Sequence, residues 1–348
     1  MKRTKVLVTG GTGYIGAHTA VELHNAGYEV VLADNFSNSI PGVLDGIKKI
    51  IGKKPLFEEV DCVDYNAFRR LFEKYSDIRA AIHFAAFKAV GESVEKPLMY
   101  YKNNLCSLMN LIELMTQKEI SSIVFSSSCT VYGQPARENL PVNEFAPLQP
   151  AESPYGKTKQ MSENILEDSA LANKERLNVI SLRYFNPIGA HPSALIGELP
   201  MGVPQNLLPY ITQTTAGLRE ILNVYGNDYS TPDGSCIRDY IYVCDLAKAH
   251  VAAIERLLER AGEMKKNIEY FNLGTGRGLS VLELIDIFQK VTGMAVPYRI
   301  TGRRAGDVEQ VWADPSLANK VLGWRAETPI EEILISAWKW EKKLRGIL

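Results

Sequence analysis

The sequence predicts an α/β fold: a doubly wound parallel sheet joined to a smaller mixed α/β lobe. Three observations carry this. Short apolar runs alternate with stretches of helical period through the first half of the chain. Those runs are apolar throughout rather than every second residue, so both faces of each strand must be covered by helices. A glycine-rich loop joins the first run to the first helical stretch.

The elements follow in order. KVLVT is a strand, and after the glycines a helix runs to about Ala26, closed by Gly27. EVVLAD is the second strand, GVLDGIKKIIG a helix and PLFEEVD the third strand. DYNAFRRLFEKY reads as a helix, AAIHFAA as a strand, and a long helix spans roughly Pro97 to Gln117. SIVFSSS, the helix of SPYGKTKQMSENILEDSALA, and NVISLRYF complete the series. From Pro187 proline and glycine become frequent and the alternation turns irregular. The boundary is therefore placed after residue 186, with 187–348 as the smaller lobe and 238–277 rejoining the first. The chain shows no repeats, low-complexity tracts or linkers.

At 348 residues and 46% hydrophobic, the chain can bury a core that needs no disulfide or metal to hold it. A net charge of -1 gives no electrostatic reason to bind nucleic acid or an anionic membrane. The five cysteines are scattered without CxxC spacing, which predicts reduced thiols and a cytoplasmic protein. The five histidines show no metal-ligand spacing, so no metal is expected. The start MKRTKVLVTGG is basic then apolar, but the apolar run is short for a leader, and no run is long enough for a bilayer.

Gly10, Gly13 and Gly16 have the spacing GxxGxxG between a strand and a helix. Such glycines permit a tight turn and close approach of backbone to a pyrophosphate, which the helix N-terminus then faces. Glycine motifs also occur in plain strand-to-helix turns. Asp34 strengthens the reading. It ends the second strand 18 residues after Gly16, where an acid holds the hydroxyls of an adenosine ribose. The same acid repels a 2'-phosphate, which favours NAD over NADP. Together these predict a Rossmann-type dinucleotide lobe. Asp61, at the end of the third strand, suits either an adenine contact or the N-cap of the following helix.

In SPYGKTK, Tyr155 and Lys159 are four residues apart and so share a helix face. Ser153 can cap this helix and Pro154 can occupy its first position, which fixes the direction of both side chains. For tyrosine to act as a base near neutrality its pKa must fall from about 10 to about 7, roughly 4 kcal/mol in favour of the phenolate. A close ammonium and a positive nicotinamide ring in a dry cleft can supply that. YxxxK is common on helices by chance. Ser128, in SSSCTVYG at the carboxyl end of the preceding strand, lies on the ligand side of a parallel sheet. Its hydroxyl could share a substrate proton with Tyr155.

TGGTGYIG, Ser128 and the Tyr155–Lys159 pair together resemble the extended short-chain dehydrogenase/reductases. HFAAFKAVGESVEKPLMYYKNN, RYFNPIGAH, GVPQNLLPY, VYGNDYSTPDG, RDYIYVCDLAKAH, YFNLGTG, RRAGDV and LGW extend the likeness along the whole chain in family order. Within that family the chain resembles the branch that inverts UDP-hexoses at C4.

The resemblance implies bound NAD and a UDP-hexose substrate. Gly10, Gly13, Tyr14, Ile15 and Gly16 match the pyrophosphate loop, Asp34 and Asn35 the ribose contacts, and Asp61 and Cys62 the adenine surroundings. Phe84, Ala85, Ala86, Lys88 and Asn103 match positions along the cofactor, and Lys159 the nicotinamide-ribose lysine. On the substrate side Lys88, Ser128, Tyr155, Asn186, Asn206, Leu207, Arg238, Tyr240, Arg304 and Asp307 match residues around the UDP and the sugar. Arg238 and Arg304 suit the two phosphates because guanidinium forks bind such oxygens rigidly. The implied chemistry starts when Tyr155 takes the proton of the sugar 4'-hydroxyl. Hydride then passes to NAD+ and returns to the opposite face of a 4-ketose.

The chain departs from the pattern at Ala86, Cys129 and Gln205, where the family usually has glycine, alanine and asparagine; LCS after Asn104 replaces a common NGT. None of these carries a proton. Val311 matches a position beside the sugar that is tyrosine in some members, so N-acetylhexosamine substrates are expected to fit too. A 4,6-dehydratase would have an Asp-Glu pair after Ser128, where Cys129 and Thr130 stand. A purely NAD-sensing module would not need the tyrosine, lysine and serine. The helices near 97–117 and 154–173 match a family homodimer interface, although their periodicity equally suits packing on the sheet.

Overall fold

A computed structural model describes residues 3–172, 177–260, 262, 264, 266–304 and 307–347. Met1, residue 173 of the long-helix expectation, and Ala305 and Gly306 of RRAGDV lie outside them. The first lobe runs β1 (Lys5–Thr9), α1 (Tyr14–Asn25), β2 (Glu29–Asp34), α2 (Gly42–Ile51), β3 (Leu56–Glu59), α3 (Tyr65–Lys74) and β4 (Ile78–His83). It continues with α4 (Val90–Glu95), α5 (Pro97–Gln117), β5 (Ser122–Ser126), α6 (Pro154–Ala172) and β6 (Asn178–Tyr184). Then come β7 (Asn186–Ile188), α7 (Leu207–Thr215), β8 (Leu222–Tyr225), β9 (Ile237–Arg238), β10 (Tyr240–Tyr242) and α8 (Val243–Glu259). The chain closes with β11 (Ile268–Leu273), β12 (Leu279–Ser280), α9 (Val281–Thr292), β13 (Tyr298–Thr301), β14 (Gln310–Val311), α10 (Ser316–Val321) and α11 (Ile330–Arg345).

Seven strands form one sheet in the order β11-β6-β5-β4-β1-β2-β3, with parallel pairing throughout. Side chains of a strand alternate between faces, and both faces here are dry. Val6 and Val8 point into one core with Leu23, Ile47, Leu246 and Ile254, under α1, α2 and α8. Leu7 points the other way, to Phe68, Leu111 and Leu166 of α3, α5 and α6. The chain leaves β1 toward β2 and β3, then returns to lay β4 on the other side of β1. The carboxyl ends of β1 and β4 therefore diverge, and a crevice opens between the loops that follow them.

Of residues 238–277, α8 packs on α1 and β11 closes the sheet edge beside β6. β9 and β10 stay outside, in small sheets with β12 and β14, and with β7. A separate core of α7, α9 and α11, with Ile211, Phe288 and Trp338, holds up this smaller lobe. The strand expected over SIVFSSS is shorter than expected: β5 ends at Ser126, and Ser127 and Ser128 lie beyond it. Among the described residues no helix is long and apolar enough to cross a membrane, and no three potential ligands cluster for a metal.

Candidate active site

The loop after β1 is shaped by close approach. Gly10 adopts φ +67°, and a Cβ there would stand 2.8 Å from the Ala85 backbone nitrogen after β4. A Cβ on Gly16 would collide with the Gly10 carbonyl oxygen. Gly13 is the N-cap of α1, and the first helical bond runs from the Ala17 N–H to its carbonyl, 2.9 Å. The N–H groups of Tyr14, Ile15 and Gly16 thus head the helix without intrahelical acceptors. Asp34 stands across the loop and accepts from the Thr12 N–H at 3.1 Å and the Phe36 N–H at 2.9 Å. Asn35, exposed beside it, accepts from the Ser37 N–H. These donors and this acid fit a dinucleotide: the crevice brings open N–H groups and a held carboxylate to one edge of the sheet.

Asp61 and Asp64 separate the two roles that Asp61 suits in the sequence. Asp64 is the N-cap of α3, accepting from the Ala67 N–H at 3.0 Å. Asp61 instead folds onto the Val63 N–H, 2.8 Å, and stays exposed beside buried Cys62; it lies beyond β3, which ends at Glu59 rather than at Asp61 as expected. Phe84, Ala85 and Ala86 follow β4, half-buried at the crevice, with the Phe84 ring 4.7 Å from that of His250. Asn103 donates to the Asn104 side chain at 3.0 Å.

Tyr155 and Lys159 occupy the first turns of α6, whose N-terminus is tied by Ser153 accepting from the Gly156 N–H at 3.2 Å. Both are buried, as is Ser128 just beyond β5. Lys159 Nζ donates to the Ser126 carbonyl at 2.6 Å and lies 5.9 Å from the centre of the Tyr155 ring. Burial pushes the Tyr155 phenol well above its usual value, with the Tyr184 phenol adding to this and the Ser128 hydroxyl opposing it. Burial lowers the Lys159 ammonium to about 8, against a rise from Glu163. The side chains therefore do not by themselves bring Tyr155 toward neutrality: desolvation penalises a phenolate more than one ammonium 5.9 Å from its ring repays.

The substrate residues expected from the second half of the chain lie on several separate segments, of which Arg238 comes near Cys129. The Asn186 N–H donates to the Asp239 carbonyl, 2.9 Å. Arg238 on β9 donates to the Ile237 carbonyl at 2.9 Å. Arg304 clasps Asp307 through Nε and Nη2, at 3.1 and 2.6 Å, with its guanidinium 5.5 Å from the centre of the Tyr225 ring. Two predicted substrate residues thus hold one another. Tyr240 is buried, and Asn206 precedes α7 without a side-chain capping bond, just before half-buried Leu207. Val311 pairs with Arg238 in the sheet and packs with Val131, Tyr132 and Phe185 behind Cys129. A cavity of about 370 Å³ opens at this arm, lined by Gln134, Arg137, Tyr229, Arg303, Asp307 and Glu309; it reaches Asp307 but not Tyr155.

Two residues escaped the sequence reading. Asn104 accepts from the Phe87 N–H at 2.8 Å and donates to Thr158 at 3.1 Å, which ties the loop after β4 to α6. Glu198 accepts from Lys88 at 3.3 Å and from Asn206, joining a predicted residue of each lobe. Asn104 reads as one more polar position on a long helix, and Glu198 lies in a proline- and glycine-rich segment without period.

Comparison with known proteins agrees with this geometry. The family model for GDP-mannose 4,6 dehydratase matches residues 7–336. A UDP-glucose 4-epimerase of Homo sapiens is 48% identical over 345 residues, 97% of each chain. One of Bacillus subtilis is 50% identical over 336 residues, 97% of this chain and 96% of that one. The crystal structure of a UDP-glucose 4-epimerase from Bifidobacterium longum, in complex with NAD+ and UDP, matches with a TM-score of 0.93 at 44% identity, over 99% of this chain and 100% of that one.

Proposed function

The chain belongs to the UDP-glucose 4-epimerases of the extended short-chain dehydrogenase/reductase family, and we propose that it interconverts UDP-galactose and UDP-glucose with NAD held as a resident cofactor. The observation that carries this is the buried meeting of Tyr155, Lys159 and Ser128 at the carboxyl edge of the sheet, beside the glycine crevice. Gly10, Gly13, Gly16 and the open N–H groups of Tyr14 and Ile15 would hold the pyrophosphate. Asp34 and Asn35 would hold the ribose, Asp61 and Cys62 would flank the adenine, and Phe84 to Ala86, Lys88, Asn103 and Lys159 would line the rest. Bound NAD supplies a positive ring that favours the phenolate and a reversible hydride acceptor at C4', with a 4-keto sugar between the two epimers.

The chain's own groups do the rest. Tyr155 removes and returns the proton of the 4'-hydroxyl, and Ser128 shares it. Lys159, charged below about pH 8, favours the phenolate. Arg238 and Arg304 grip the diphosphate, Arg304 exchanging Asp307 for phosphate oxygens, while Asn186, Asn206, Leu207 and Tyr240 border the nucleotide and sugar. The sugar is then free to turn its other face while its anchor stays in place.

Elimination of water, as in a 4,6-dehydratase, is disfavoured because Cys129 and Thr130 follow Ser128. The carboxylate of Asp239, whose charge reaches Cys129, is already occupied by the Thr275, Gly276 and Ala313 N–H groups. Valine at 311 supports some activity on UDP-N-acetylhexosamines. Exposed Leu98 and Met109 on α5, with Met161 and Leu171 on the adjacent α6, support a homodimer through these helices. Five unpaired thiols support a cytoplasmic setting. Purified protein given UDP-galactose without added NAD is expected to form UDP-glucose. Failure to do so even with NAD supplied would sink the proposal.

A further inference from the structure

The run Ser126-Ser127-Ser128 at the end of β5 lies against α6. Lys159 donates to the Ser126 carbonyl at 2.6 Å. Glu163, one turn further along, accepts from the Ser127 hydroxyl at 2.7 Å. Ser128 lies near Tyr155, one turn earlier, and its hydroxyl favours the phenolate. Two successive turns of one helix thus hold Ser126 and Ser127, and the turn before them reaches Ser128.

Glu163 is tied down at both oxygens. Besides Ser127, its Oε1 accepts from Ser181 at 2.8 Å and from Arg183 Nε at 3.0 Å, and its Oε2 accepts from Arg183 Nη2 at 2.7 Å. Arg183 in turn donates to Tyr132 at 3.0 Å and lies over the Tyr270 ring. Both charges are buried, and a buried pair of this kind seldom adds stability over apolar side chains of similar size. Its position is what is informative: the carboxylate sits at i+4 from Lys159, on the same helix face.

We propose that Glu163 is a positioning residue of the reaction: clamped by Arg183, Ser127 and Ser181, it fixes the rotation of α6 against the end of β5 and supplies the buried negative charge that keeps Lys159 an ammonium beside Tyr155. This rests on the epimerase reading above. Charged and titratable groups surround this pair on every neighbouring element. From α6 come Lys159 and Glu167, from β6 Arg183 and Tyr184, and from β11 Tyr270. Tyr132 and Glu144 lie on the segment between β5 and α6, and His83 on β4 faces Lys159 with its own ionisation suppressed by burial to about 3. Among these, the carboxylate of Glu163 opposes the burial of Lys159.

The sign follows. Removing the carboxylate lowers the pH at which Lys159 loses its proton, so the alkaline limb of kcat against pH moves toward acid. In the NAD-loaded protein, Glu163→Gln is expected to move that limb down by about one pH unit. Glu163→Asp keeps the charge and should leave the limb in place while kcat falls. Glu163→Gln with Arg183→Met removes the unpaired arginine that would burden the fold of the single variant, and a smaller shift in the same acid direction is expected, because the opposing positive charge goes with it. An alkaline limb coincident with wild type in either Gln variant overturns the inference. So does failure of both to fold and bind NAD, which would assign the carboxylate to structure alone. A wild type without epimerase activity overturns the functional reading, and this inference with it.

Discussion

Tyr155, Lys159 and Ser128 are 8%, 4% and 7% exposed, whereas the Arg304 side chain is 52% exposed. Around Tyr155 the polar groups Lys159, Ser128 and Ser153 are held by the backbone: Lys159 by the Ser126 carbonyl, Ser128 by the Thr130 N–H, Ser153 by the Gly156 N–H. At the second end the guanidinium of Arg304 leaves a short segment between β13 and β14 and rests on Asp307, three residues on. An ion pair with one partner this exposed is screened by water, so the guanidinium can exchange one anion for another. Under the proposed function the difference separates two tasks. Proton transfer needs fixed distances and a dry surrounding that amplifies each charge. Anchoring a diphosphate needs donors that give up one anion for another.

Substitutions at each of these places test the division. Tyr155→Phe, at the dry end, is expected to lower kcat by about 10²–10⁴-fold while the NAD released on denaturation stays at the wild-type level. A loss under tenfold would mean that the buried corner is not where the proton moves. Arg304→Ala, at the wet end, should raise KM for UDP-galactose about tenfold or more with kcat little changed, as for a charged hydrogen bond of about 1.5–3 kcal/mol. An equal fall in kcat would erase the division of labour. Val311 lies between the two ends, 5% exposed against Val131 and Phe185. Val311→Tyr is expected to reduce turnover of UDP-GlcNAc about tenfold relative to UDP-glucose; equal turnover by both proteins refutes the hexosamine proposal. The smallest effect belongs to two exposed aspartates three residues apart. Asp64→Ala should cost about 1 kcal/mol of stability in thermal unfolding through the lost cap. Asp61→Asn should leave stability alone and weaken NAD binding, and the reverse pattern would exchange their roles.

Much of the first lobe was legible because its signals are local. EVVLAD and the helix Pro97–Gln117 are found with the ends the sequence predicts, since a fully apolar run bounded by polar residues has one way to enter a two-sided sheet. Ser153, Pro154, Tyr155 and Lys159 stand on one helix start because capping and a period of 3.6 residues act over a single turn. The smaller lobe was less legible, as β9, β10, β12 and β14 are two or three residues long and owe their pairing to distant partners.

The sequence alone therefore determined which residues could meet: the glycines with Asp34, the tyrosine with the lysine, the serine at a strand end. Tertiary structure decided what each of them feels. It made Asp64 rather than Asp61 the cap, set Asp307 against Arg304, let Glu198 span Lys88 and Asn206, and placed Glu163 under Ser127. It also raised the phenol of Tyr155, which spacing alone would leave at its ordinary value. The reason is physical. Spacing along a helix or strand is set by backbone geometry within a few residues. Desolvation and charge pairing are set by whatever remote segments pack around a group, and those come together only when the chain folds.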